Sequence, residues 1–236
     1  MNESLHALRT RTVLPACLVV CSALLLAGCG SGGGTKGPAA VATPAAPTGV
    51  SPTGSPDPTG TGARLTDDQV ARMSLVQAAK VPWDEAADTA VGTVSGGKLV
   101  GIELRRYKGG ATTSPAPDPG SPEWTAEVGG QNGMVHRVLV DGVSGTVLRS
   151  QPDTDQDADD MRELTDRLTR AQVSPEQAVK TATDRKQGIV TDVHLSDEDN
   201  TLVWSVDVVN QQDWSKTAFD IDAATGEVLR EQVDKG

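Results

Sequence analysis

The chain has 236 residues, with 21 Lys and Arg against 32 Asp and Glu, a formal net charge of −11. A surface of that sign repels nucleic acid and anionic lipid headgroups, so nucleic-acid binding is excluded. Cysteines stand only at 17, 21 and 29, which excludes a disulfide-stapled scaffold, a thiolate metal centre or a cysteine nucleophile in everything that follows.

The first segment reads as a secretory leader, residues 1–28. Arg9 and Arg11 form its basic start, and Val13 to Leu26 form an apolar run too short to span a bilayer comfortably. Leu25-Leu26-Ala27-Gly28-Cys29 then resembles the lipobox of bacterial lipoproteins. The resemblance implies cleavage before Cys29, acylation of its thiol, and a mature protein anchored on the extracytoplasmic face of the cell membrane. Residues 29–63 are nearly all Gly, Ser, Thr, Pro, Ala and Val. Such a segment buries too little apolar surface to offset its ordering entropy, so a disordered tether is expected.

The remainder divides into two similar halves, 64–152 and 153–236. Val81-Pro-Trp-Asp-Glu-Ala-Ala-Asp-Thr-Ala90 lies over Val173-Ser-Pro-Glu-Gln-Ala-Val-Lys-Thr-Ala182. Trp124-Thr-Ala-Glu-Val128 lies over Trp204-Ser-Val-Asp-Val208, and Val140 to Arg149 lies over Ile221 to Arg230. Three separated blocks in the same order predict a tandem duplication. The longer first copy carries an insert, Lys108 to Ser121, rich in Gly, Pro, Ser and Thr.

In chain order, Thr66-Asp-Asp-Gln69 fits a capping box and opens a helix, and a second helix follows Pro82-Trp83. Strands are expected over Leu99–Tyr107, Trp124–Val128, Arg137–Asp141 and Thr146–Arg149. The second half opens on an acidic linker. There Met161, Leu164, Leu168 and Ala171 recur at helical spacing, and Ser174-Pro-Glu-Gln177 caps a further helix. Its strands are expected over Ile189–Leu195, Leu202–Val208, Thr217–Asp222 and Glu227–Glu231. In the two Asp-x-x-Ser/Thr-Gly segments, Asp141 and Asp222 accept turn amides, while Gly145 and Gly226 take positive φ in short hairpin loops. The expected fold is α+β: two tandem units, each with two helices on a four-stranded antiparallel sheet.

The capped helix with Glu176-Gln177-Ala178, the central aromatic strand and the closing Asp-x-x-Thr-Gly-x-Val-Leu are similar to the PepSY domain. The second half is the cleaner match; the first departs at the 108–121 insert and at Pro82-Trp83. The resemblance implies a family found in propeptides of secreted metallopeptidases and proposed to restrain peptidases. The helix-and-sheet pattern given twice also looks like secreted beta-lactamase inhibitory proteins in architecture.

The residues point away from catalysis. His136 and His194 lie in separate strand patterns without HExxH spacing, and no hydrolase elbow, phosphate loop or dinucleotide fingerprint occurs. No cofactor and no catalytic residue are expected. Asp153, Asp155, Asp157 and Asp159 are weak cation candidates, because neither Asp153 nor Asp155 starts an EF-hand loop with the glycine and final carboxylate in place. Trp124 and Trp204 occupy matched strand positions and read as core. Trp83 and Trp214 have no counterpart in the other copy, so they are the candidate interface anchors, with partial burial as the other reading. Two functions stay open. One is a module that binds an unidentified extracytoplasmic protein, with peptidase regulation or inhibition as one form of it; the other is an envelope lipoprotein binding a small ligand or divalent cation.

Replacing Cys29 with Ala is expected to release the protein from the membrane or leave an unprocessed precursor. Fractionation and mass of the mature N-terminus check this; normal processing with retained anchoring would refute the lipobox reading.

Overall fold

The computed structural model describes residues 64–236; the leader, Cys29 and the tether lie outside the described residues. Four helices and eight strands follow in the order α1 (Asp67–Ala78), α2 (Trp83–Val91), β1 (Lys98–Arg106), β2 (Pro122–Gly129), β3 (Val135–Asp141), β4 (Val147–Pro152), α3 (Ala158–Arg170), α4 (Pro175–Arg185), β5 (Ile189–Glu198), β6 (Thr201–Val209), β7 (Lys216–Asp222) and β8 (Val228–Asp234). The strands form one antiparallel sheet in the order β4-β3-β2-β1-β5-β6-β7-β8. The fold is α+β, but the expectation of two four-stranded sheets is corrected. In a separate unit β1 and β5 would each be an exposed edge with unpaired backbone groups. Instead they pair with one another, Gly101 opposite His194, Ile102 opposite Val193 and Glu103 opposite Asp192.

Local sequence accounts for the elements. Thr66 Oγ1 accepts from the Gln69 amide at 3.1 Å while Gln69 Oε1 accepts from the Thr66 amide at 2.8 Å, a reciprocal cap. Ser174 and Gln177 do the same for α4, with Pro175 in its first turn. In α2 and α4 the matched pairs Ala86/Ala178 and Ala90/Ala182 are wholly buried. Their small side chains let each helix lie close on the sheet.

The indoles fix that seat. Trp124 and Trp204 are 1% and 2% exposed. Trp124 Nε1 donates to the Val81 carbonyl at 3.0 Å, and Trp204 Nε1 donates to the Val173 carbonyl at 2.9 Å. Val81 and Val173 each lead into the second helix of their half. Their own amides donate to the carbonyls of Gly142 and Ala223, just past β3 and β7. A buried indole N–H and a buried loop carbonyl therefore satisfy each other at the same point of both halves.

The first helices are reciprocally placed. α1 reaches the β6–β7 turn: Gln69 Nε2 donates to the Asp213 carbonyl at 2.9 Å and Arg72 Nη1 to the Trp214 carbonyl at 2.5 Å. α3 reaches the β2–β3 turn, where Gln156 Oε1 accepts from the Val135 amide at 2.6 Å and Leu164 and Leu168 sit over Gly129. Each first helix thus packs on a hairpin of the other half, so neither half holds two helices purely as its own.

Gly133 sits at this contact with φ 79°, and a Cβ there would overlap the Met161 carbonyl oxygen and come within 2.7 Å of Thr165 Oγ1. Gly133→Ala is expected to destabilise the protein by about 2 kcal/mol or more, from positive φ plus the clash. Gly109, with φ 111° and nothing within 4 Å of an added Cβ, isolates the φ contribution. Denaturant unfolding of both variants checks the order; equal losses would show that the α3 contact is slack.

Candidate functional site

All four helices pack against one side of the sheet, where the inward set Ile102, Leu104, Trp124, Ala126, Val128, Val193 and Val206 is buried. Strand alternation sends the intervening residues to the helix-free side. There β3, β2, β1 and β5 line a groove of about 680 Å³ straddling the β1–β5 join. Its lining includes Glu103 and Arg105 from β1, Glu123, Thr125 and Glu127 from β2, Arg137 and Leu139 from β3, and Asp192 and His194 from β5. Gly109 of the insert closes one end. The insert then runs to the outer edge of the sheet, where the Thr112 amide donates to the Leu148 carbonyl at 2.8 Å.

Most charges in the groove are paired. Arg105 Nε donates to Glu103 Oε2 at 2.5 Å, which together with neighbouring carboxylates holds the guanidinium firmly protonated. Arg137 Nη2 lies 3.3 Å from Glu127 Oε1. His194 Nδ1 and Asp192 Oδ1 are 2.5 Å apart. The hydrogen bond from that carboxylate raises the imidazole pKa, against an opposing effect of burial. Burial also raises the Asp192 carboxyl, with the His194 contact working the other way. Glu123 differs. It is 7% exposed, and its Oε2 is buried without a hydrogen-bond partner. Burial raises its pKa, while Arg105 and Lys108 pull it down without contacting it.

The other residues named from sequence go elsewhere. Asp141 Oδ1 accepts the Val143 and Ser144 amides, each at 2.8 Å, and Asp222 Oδ1 accepts those of Ala224 and Thr225, each at 2.8 Å. Gly145 and Gly226 take φ 73° and 78° in those turns. Trp83 is half-buried and lines a second cavity of about 600 Å³ beside α2 and α4 with Lys80, Thr183 and Gln211. Trp214 does not join it. At 8% exposure and φ 57°, Trp214 is packed into the core where its carbonyl receives Arg72. Its turn is one residue longer than the β2–β3 turn, and Trp214 takes the positive-φ place that Gly133 takes there.

The acidic linker does not converge on a point. Asp157 caps α3 by accepting the amides of Asp159 and Asp160 at 2.7 and 3.0 Å, which keeps its carboxyl below the usual range. Asp153 Oδ1 accepts the Asp155 amide at 3.1 Å, and Asp159 pairs with Arg162. Among the described residues no three His, Cys, Asp or Glu side chains are grouped to hold a metal ion. The sequence singled out His194 but missed Glu123, whose only signal was a charged residue beside a strand tryptophan.

Residues 172–232 match the model of the PepSY family, described as peptidase propeptide and YPEB domain. Two solved structures are similar at low identity. One is a protein from Clostridium difficile 630 described as a "putative lipoprotein": 17% identity, 66% of this chain and 95% of that one, TM-score 0.40. The other is the YpmB protein from Bacillus subtilis: 16% identity, 66% and 100% coverage, TM-score 0.27. At these TM-scores neither likeness bears on function. No curated protein matches the chain.

The Asp192–His194 pair gives a pH prediction with a definite sign. The folded imidazole pKa lies above its unfolded value, so the stabilisation from this contact is full below the unfolded value. It is lost as pH rises through the raised one. In an NMR titration, Asp192→Asn is expected to move the His194 midpoint down; an unmoved midpoint would mean the contact does not form in solution.

Proposed function

We propose that the chain is a lipoprotein, anchored to the extracytoplasmic face of the cell membrane by lipid on Cys29, and that it works by binding another protein. Two PepSY-like units, 64–152 and 153–236, arose in this reading by tandem duplication and fused into one sheet. The repeated caps, the paired indole bonds and the matched Asp-Gly turns support the duplication. The lipobox-like segment supports the anchor. Among the described residues no helix is long and apolar enough to cross a membrane, so the anchor is assigned to Cys29.

The partner is an extracytoplasmic protein, and a peptidase is the first to test, because residues 172–232 match a propeptide-type domain. The chain restrains its partner without catalysing a reaction. The observation that carries this reading is the helix-free groove at the β1–β5 join, a concave surface built from both halves. It displaces Trp214 as an anchor, since that residue is buried and its carbonyl receives Arg72 of α1. Trp83 stays as a secondary contact beside the second cavity.

Site-specific photo-cross-linking in cells tests the assignment. A cross-linker at Thr125, in the groove, is expected to trap a protein partner, whereas one at Val70, exposed on α1, is expected to trap none. Cross-links confined to Val70, or none from Thr125, would remove the groove as the binding surface.

A further inference from the structure

We infer that the groove takes a basic side chain, Arg or Lys, of the partner protein, and that Glu123 is its acceptor. This rests on the groove being the protein-binding surface and supplies the chemistry it recognises. Four carboxylates line the groove: Glu103, Glu123, Glu127 and Asp192. Arg105, Arg137 and His194 meet three of them. Glu123 has no cation within ion-pair distance among the described residues, although Arg105 stands directly opposite it across the strand pair. Arg105 turns to Glu103 on its own strand instead.

A buried carboxylate oxygen without a partner is costly, by about 1–3 kcal/mol or more when charged. Native structures hold few such groups, and a bound ligand is one way they are completed. A partner that donates hydrogen bonds and carries positive charge would offset the burial that disfavours the ionised carboxyl, as Arg105 and Lys108 do only from a distance. A metal ion needs more oxygen ligands than this point offers, and no three-ligand group exists among the described residues. A guanidinium or ammonium on a flexible stem fits both demands, its stem lying along Leu139 and Thr125 while its head reaches Glu123. The insert supports this: Gly109 borders the groove and Lys108 stays out of ion-pair contact with Glu123, so the chain's own nearest cations leave the place empty. The second half has no such insert: β5 and β6 are joined by a two-residue turn.

The test uses the full chain purified in detergent and fluorescein-labelled extended pentapeptides, Thr-Val-Xaa-Val-Thr, with Xaa arginine or citrulline. The arginine peptide is expected to bind about tenfold or more tighter than the citrulline peptide, and Glu123→Gln to erase that preference. Thr125→Arg, which supplies a guanidinium from within the groove, is expected to block the arginine peptide while unfolding like the parent. In carboxyl-labelled protein, the Glu123 side-chain resonance is expected to shift on adding the arginine peptide. Equal binding of both peptides, blocked by Thr125→Arg, would overturn the basic-side-chain assignment and keep the groove as a binding surface. Binding unaffected by Thr125→Arg, or no binding of either peptide, would overturn the assignment together with the groove reading.

Discussion

The β1–β5 pairing is the constraint on which the rest of the structure depends. It spans only three residue pairs, yet it removes two exposed edges and makes one sheet of two. At its centre Ile102 faces Val193, the corresponding positions of the two halves, both buried. Gly101 permits the close approach, since a Cβ there would stand 3.0 Å from His194 Cβ. Once this join forms, the second hairpin of each half lies within reach of the other half's first helix. The reciprocal placement of α1 and α3 follows, and their loop contacts reinforce the join from the helix side.

On that side the energetic logic is burial with both strand indoles answered. Two indoles that would be costly to bury unpaired each meet a carbonyl at the start of the second helix. The arrangement links two deeply buried indoles of the sheet to the helix that covers each, so strand and helix cannot shift independently. Across the sheet the logic is reversed. The helix-free side carries charge mostly in matched pairs, and the insert runs from the end of β1 to the edge strand β4. The paired charges keep that side wet and adaptable, whereas Glu123 keeps an unmet demand at one place.

In the function proposed above, such a surface serves recognition. The groove at the join draws on β1, β2 and β3 of the first half and on β5 alone of the second, so its two sides are unequal: Glu123 stands without a hydrogen-bond partner on β2, and the Asp192–His194 contact lies on β5. The reciprocal caps, the indole bonds and the Asp-Gly turns, by contrast, keep the same form in both halves.

The sequence by itself determined the local elements. Thr66 with Gln69 and Ser174 with Gln177 announce helix starts through side chains three residues apart. Alternation announces every strand to within a few residues, and Asp141–Gly145 and Asp222–Gly226 announce their turns through local hydrogen bonds and positive φ. The matched tryptophans were legible as core because both copies keep them. Only the tertiary structure decided what lies far apart in the chain. An edge strand and a joining strand show the same alternation, so one sheet could not be told from two. The reach of α1 to Trp214 and of α3 to Gly133 depends on that join, which made Trp214 look like an exposed anchor. Glu123 became a site for the same reason: its burial comes from neighbouring strands and the insert, and its want of a partner from the rotamer that Arg105 takes, neither of which is written in the residues around it.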